Sequence, residues 1–216
     1  MADMDFDALV HKQFQELCTK YKNLSLKQID NNYYIFGFLG FTSKFKDIKI
    51  QDAFELFIAI PSDYPNQLPI VKEIGERIPK DFHHSGDELC LGTPVDSWIK
   101  FSKSNSLIGF IESLVIPYLF SFCYKSKTGR MPFDERAHYG KGILEFYCEF
   151  FGIKDFVVAQ KFLKILASGQ YSRNKTCPCN SGRRLEKCHG PKLLEIMKTI
   201  PLKYFEYEYK QIQFQG

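Results

Sequence analysis

Apolar residues recur at helical spacing near the start of the chain: Phe6, Leu9, Val10, Phe14, Leu17, Cys18 and Tyr21. The spacing predicts an amphipathic helix over residues 3–23. The period then changes. Residues 33–41, Tyr-Tyr-Ile-Phe-Gly-Phe-Leu-Gly-Phe, are aromatic and branched and predict a strand. A polar turn at 44–47 leads to a second strand over 49–60, with Phe54, Leu56, Ile58 and Ile60 on one face. Pro61 to Asn66 has turn composition, and residues 69–74 predict a third, short strand. The stretch 75–98 has no sustained period and is rich in turn residues, so it reads as a long loop of the kind that carries function.

The second half is helical in pattern. Ser106 to Tyr124 is apolar nearly all round, with a bend expected at Pro117. Residues 136–151 present Ile143, Leu144, Tyr147, Cys148 and Phe151 on one face. Residues 155–167 repeat the pattern, with Asp155 as the expected N-cap. A boundary falls at Ser168-Gly169-Gln170, before a basic module at 173–192. A short helix from Lys192 to Ile200 stops before Pro201. In the tail, 204–214, Phe205, Tyr207 and Tyr209 alternate with Glu206, Glu208 and Lys210, which predicts a strand. The expected class is α+β: a helix, an antiparallel meander, a long loop and further helices, with a small module appended.

Composition narrows this picture. The 216 residues have room for one large domain plus a module, and an aromatic content of 16% lets a core form without disulfide staples. A net charge of +4 does not call for nucleic-acid binding by the chain as a whole. No apolar run reaches about 18 residues; the nearest, 107–123, is interrupted by Glu112 and serines, so no membrane span is expected. The start, MADMDFDALV, is acidic and lacks a basic-then-apolar leader, so a cytoplasmic protein is expected. Seven cysteines, an odd number without an export signal, argue against a disulfide framework. Cys18, Cys123 and Cys148 sit at helical spacing among apolar residues and read as small core hydrophobes.

Cys90 differs. It lies in Gly-Asp-Glu-Leu-Cys-Leu-Gly, after His83 and His84 and eight residues before Trp98, the only tryptophan. A turn thiol of this kind suits a nucleophile that attacks a carbonyl and later leaves. His83 and His84 are candidate donors or proton acceptors. Asp87, Glu88 and Asp96 are nearby carboxylates, which as isolated residues read equally as solvated turn positions.

The order of elements over residues 3–152 resembles the ubiquitin-conjugating enzyme fold. Tyr64-Pro65-Asn66-Gln67-Leu68-Pro69 looks like the family's Tyr-Pro-x-x-Pro-Pro turn, with Leu68 in place of a proline. Leu89-Cys90-Leu91 looks like its active cysteine, and Trp98 falls where the family keeps a tryptophan. The family's His-Pro-Asn motif is not reproduced. Phe82-His83-His84-Ser85 lies only six or seven residues before Cys90, and His83, His84 and Ser85 are the candidates to replace the oxyanion-stabilising asparagine. Shortened cysteine loops look like the bacterial branch, some members of which serve anti-phage defence alongside a cyclic-oligonucleotide synthase. The resemblance implies a transferase that carries the C-terminus of a ubiquitin-like protein or of such a synthase as a thioester on Cys90. A ubiquitin-activating-like enzyme is a further implied partner. The residues leave two other readings open: a non-catalytic scaffold of the same fold, and a thiol hydrolase, for which His138 is the only other histidine between Cys90 and the module.

Near the C-terminus, Cys177-Pro178-Cys179, eight further residues and Cys188-His189 supply three thiolates and one imidazole. That is a closed tetrahedral set for structural zinc, with no open position for catalysis. The segment resembles the SEC-C motif, a small zinc-binding module first noted in the bacterial preprotein translocase ATPase. Its basic residues fit docking onto an acidic surface, or read simply as a solvated face. The expected organisation is a ubiquitin-conjugating-like domain at 1–154, a connecting helix and linker at 155–172, the zinc module at 173–192, and a C-terminal helix and tail at 193–216.

Overall fold

Helix α1 (Phe6–Lys20) buries Val10, Gln13 and Leu17, the face its periodicity marks. The protein is seen here in a computed structural model that describes residues 6–133, 137 and 139–213. Residues 3–5 of the expected first helix lie outside these, as do Arg136 and His138 of the expected helix at 136–151 and Phe214 of the expected tail strand. After α1 the chain forms four antiparallel strands, β1 (Leu24–Ile29), β2 (Asn32–Phe45), β3 (Ile48–Ile60) and β4 (Ile70–Glu73), in meander order. The class is α+β, as expected. The strand β1 was not anticipated. Only Leu24 of it is buried, so its apolar signal is thin. The signal that marks it is the turn: Asp30 and Asn31 both have positive φ between the paired Ile29 and Asn32, the conformation of a two-residue hairpin.

The inner face of the sheet carries Tyr33, Ile35, Leu39 and Phe41 from β2 and Phe54, Leu56, Ile58 and Ile60 from β3, all buried. Gly37, at φ +126°, is required where β2 meets the end of α1's connection. A Cβ there would stand 2.2 Å from the Asn23 carbonyl oxygen. The Tyr64 hydroxyl, at the turn after β3, donates to the Gln13 side-chain oxygen, and the same oxygen accepts from the Leu107 amide at 2.9 Å. One buried glutamine thus ties α1, the Tyr64-Pro65 turn and the next helix together.

That helix runs as α3 (Leu107–Phe110), a π-turn over Ile111–Val115, and α4 (Ile116–Thr128). The wide turn ends two residues before Pro117, whose ring would otherwise press on the Ser113 carbonyl. The bend expected at Pro117 is therefore a π-turn. By length and composition Leu107–Thr128 could cross a membrane, and 56% of its most apolar window is buried in the fold.

The chain divides into two compact units, Met1–Gly92 with Lys100–Asp134, and Thr93–Ile99 with Glu135–Gly216. The boundary expected at residue 154 thus falls inside the second unit, because α5 (Tyr139–Phe151) packs with α6 (Phe156–Ser168) and α8 (Leu202–Gln213). Asp155 caps α6 as expected, accepting from the Val157 amide at 2.8 Å. Helix α7 (Gly190–Thr199) precedes α8. The expected tail strand is a helix: Phe205, Glu208 and Ile212 are buried while Tyr207 is exposed, a period near 3.5 and not 2. The alternation of aromatic and charged residues hid this, because tyrosines fall on both faces.

Candidate active site and metal centre

The loop at 75–98 is more structured than its sequence implies. It opens with the Glu73 carboxylate accepting from the amides of Gly75, Arg77 and Ile78 at 2.9, 2.9 and 3.2 Å. Arg77 pairs in fork fashion with Asp52 on β3, at 3.0 and 2.8 Å, and lies 4.1 Å over the Phe54 ring. The guanidinium of Arg77 holds the Asp52 carboxyl below its ordinary range. Further on, Phe82 is buried against Tyr118 and Phe122 of α4, with ring centroids 5.5 and 5.2 Å apart.

Two short strands follow: β5 (His84–Ser85) pairs with β6 (Glu88–Leu89) across a Gly86-Asp87 turn. Gly86 has φ +63°, which a two-residue hairpin needs at its first central position. Lys80 forms an ion pair with Asp87 over this turn, and that hydrogen bond, with the charges of Lys80, Lys72 and His84, lowers the Asp87 carboxyl's pKa.

Cys90 is exposed at the open end of the hairpin. Its amide donates to the His83 carbonyl at 2.7 Å, so His83 stands opposite Cys90. His83 has φ +45°, a left-handed backbone that few residues other than glycine adopt. His84 is opposite Leu89, one step along the ladder. Its Nδ1 lies 3.0 Å from the Phe82 carbonyl. A carbonyl only accepts, so Nδ1 carries the hydrogen and Nε2 is the basic nitrogen of the neutral ring. Ser85 is opposite Glu88. The hairpin therefore gathers Cys90, His83, His84, Ser85, Asp87 and Glu88.

Trp98 and Asp96 are not part of this loop. Both lie on a helix, α2 (Pro94–Ser102), in the portion that belongs to the second unit. The Trp98 indole donates to the Thr199 carbonyl at 2.9 Å and packs on Tyr204. The Pro-Val-Asp-Ser run after Thr93 is a helix start, and the helix is too short, at nine residues, to set up a period that the sequence would show. Tyr118 was also missed. It sits in an apolar helix, and its hydroxyl donates to the Phe82 carbonyl at 2.7 Å and lies 3.3 Å from that of His83. Burial raises its pKa, as do the charges of Cys90 and Glu73. A tyrosine in such a helix signals a buried polar tip that needs a partner.

In the second unit the four expected metal ligands come together. Residues Thr176 and Arg184 form an antiparallel bridge, and Cys177 donates its amide to the Arg183 carbonyl at 2.9 Å. Cys188 bends sharply, with φ −133° and ψ −105°, as two adjacent ligands require. Gly190 follows because a Cβ there would meet the Tyr171 hydroxyl at 2.3 Å and the Leu185 carbonyl at 2.6 Å. The ligand atoms of Cys177, Cys179, Cys188 and His189 all lie within 4.8 Å of one another. His189 Nδ1 is 3.3 Å from both Cys177 and Cys188 sulfurs, and Cys179 and Cys188 sulfurs are 3.5 Å apart.

A tetrahedron with the usual zinc bond lengths has S···S edges of about 3.8 Å and S···N edges of about 3.6 Å. The three edges above are slightly shorter than these, and every other pair of ligand atoms lies within 4.8 Å. His189 Nε2 lies 3.1 Å from the Phe151 carbonyl, so it donates there and Nδ1 is left to bind metal. The Ser181 hydroxyl is 3.3 Å from Cys179 and 3.5 Å from Cys188, so the Asn180-Ser181-Gly182 turn offers a side chain to the sulfurs. Burial raises the Cys177 thiol's pKa. For Cys179 burial is outweighed by hydrogen bonds from Ser181 and the neighbouring thiols, and its pKa falls.

No curated protein matches the chain. The SEC-C motif family matches residues 173–191, the segment that carries all four ligands, and this region is a SEC-C module whose cysteines and histidine form a group able to hold a metal ion.

Proposed function

We propose that the first unit is a ubiquitin-conjugating-like domain and that Cys90 carries a protein C-terminus as a thioester. The observation that carries this reading is Cys90 itself: an exposed thiol at the end of a hairpin fixed to the sheet and to α4 at three points. It is supported by the order of helix, four-strand meander, Tyr64-Pro65 turn and cysteine loop. A thiol so placed is accessible yet held, which is what repeated acyl capture and release demands. The donor is a ubiquitin-like protein or a cyclic-oligonucleotide synthase, activated by a ubiquitin-activating-like enzyme, in a bacterial defence setting.

In the first step the Cys90 thiolate attacks the donor's activated C-terminal carbonyl. A new C–S bond forms, and the activating enzyme's sulfur leaves as thiolate. In the second, an amine attacks the Cys90 thioester, the C–S bond breaks, and Cys90 departs as thiolate. The ammonium proton passes to a base, for which His83, opposite Cys90, is the proposed acceptor.

The ion at Cys177, Cys179, Cys188 and His189 is zinc in this reading. Three thiolates and an imidazole are a zinc donor set, and four protein ligands give it a structural role.

The test is expression with neighbouring genes, followed by non-reducing gels. Wild type should show a thiol-labile adduct, Cys90→Ser a stable ester and Cys90→Ala none. Equal adducts on wild type and Cys90→Ala would end the transferase reading and leave a scaffold.

A further inference from the structure

We propose that Tyr118 is a positioning residue for Cys90, acting through the backbone of Phe82 and His83. The inference rests on the reading of Cys90 as a working nucleophile, and the geometry behind it is independent of any donor. The Tyr118 hydroxyl reaches from α4 to the Phe82 carbonyl at 2.7 Å. The same carbonyl accepts from His84 Nδ1, so both of its lone pairs are engaged. The next carbonyl, that of His83, lies 3.3 Å from the Tyr118 hydroxyl and accepts the Cys90 amide at 2.7 Å. One phenol therefore sits at the junction of the two peptide groups that hold the catalytic turn.

The backbone there has a reason to need holding. His83 is in the left-handed region at φ +45°, which costs an L-residue more than it costs glycine and is held here by its surroundings. The constraint is visible on each side of it. Before it, the Phe82 ring is edge-on to Tyr118 and Phe122; after it, the β5–β6 ladder begins. Tyr118 contributes both a ring contact and a hydrogen bond to the first of these anchors. Its nearness to the thiol is also electrostatic, since a charge on Cys90 makes its own ionisation harder. The pin keeps the His83 carbonyl aimed at the Cys90 amide, and so fixes the height of the thiol above α4.

The experiment is amide hydrogen exchange on the full chain, read at Cys90, together with the pH profile of Cys90 alkylation by iodoacetamide, read by peptide mass. Tyr118→Phe keeps the ring and removes the hydroxyl. It should speed exchange of the Cys90 amide by about tenfold, the worth of one hydrogen bond, and displace the midpoint of the alkylation profile. Exchange in the β2–β3 ladder should be unmoved. The double variant Tyr118→Phe with His83→Gly should recover most of the lost protection, because glycine holds a positive φ without help. Should Tyr118→Phe not fold, the double variant decides: a folded double variant with Cys90 exchange near that of wild type supports the pin, and one that stays unfolded or exchanges Cys90 as an unprotected amide overturns it. A folded Tyr118→Phe whose Cys90 exchange and alkylation profile superimpose on wild type also overturns it. Neither measurement uses a donor protein. A missing Cys90 adduct with a positive exchange result thus rejects the transferase and keeps the pin, and the reverse pattern does the opposite.

Discussion

Glu208 is fully buried on α8, and its carboxylate accepts from the Val95 amide at 2.8 Å and the Tyr147 hydroxyl at 2.7 Å. Burial pushes its pKa up, the hydrogen bonds from Tyr147, Val95 and Thr93 pull it back, and the charge of Asp96 pushes it up again. It settles at about 7, against an ordinary 4.5. A folded-state value above the unfolded one means that the native protein binds more protons between those two pH values. Stability is then greatest below about 4.5, falls as pH rises through the window, and levels off above about 7. The rise from 4.5 to about 7, at about 1.4 kcal/mol per tenfold in proton affinity, corresponds to ~3 kcal/mol. Glu208→Gln keeps the shape and an acceptor for Val95 and never ionises, so it should lack this slope. The assay is urea unfolding at several pH values between 4.5 and 8, followed by Trp98 fluorescence. Trp98 is the only tryptophan and packs on Tyr204 within the same unit as Glu208, so it reports that unit. Wild type should lose ~3 kcal/mol more than Glu208→Gln across the window. Parallel pH profiles for the two proteins would refute the argument.

Other outcomes follow from the same geometry. Phe205→Ala should destabilise the second unit by about 3–5 kcal/mol, and Tyr207→Ala by less than about 0.5, in the same unfolding assay; equal effects would contradict a helical tail. Cys177→Ser should abolish bound zinc in metal analysis of purified protein, and wild-type protein purified without zinc would remove the metal assignment. Acidification should release the metal from wild type, since protons compete for the thiolates, and a zinc content constant down to about pH 4 would argue against thiolate ligation. Arg77→Ala, which opens the Asp52 fork, should expose residues 75–90 to limited proteolysis while leaving the β2–β3 hairpin protected; unchanged cleavage would show that the Phe82 and Tyr118 anchors hold the loop without it.

The helices and strands with a strong period were legible in the chain. α1, β2, β3, β4 and α6 follow from alternation, helical spacing and the Asp155 cap. The metal ligands were legible because thiolates at short spacing have few other uses. What was hidden depended on tertiary context. β1 buries almost nothing and exists because β2 pairs with it. α8 contains tyrosines on both faces, so the residue that defines its buried side is Glu208, whose charge argued for the surface. The pins of the cysteine loop are hydrogen bonds between residues 25 and 36 positions apart, Arg77 with Asp52 and Tyr118 with Phe82, and no local pattern encodes them.

The bond from His189 Nε2 to the Phe151 carbonyl joins a metal ligand to the last turn of α5. An ion held by the other ring nitrogen would therefore bind more tightly to chain in which that turn is formed. By mass action, an ion that bound only the folded form would add about 1.4 kcal/mol for each tenfold rise in free metal above its dissociation constant. Loss of a bound ion would then loosen the last turn of α5 together with the module, so the reach of the metal would extend beyond the four residues that hold it.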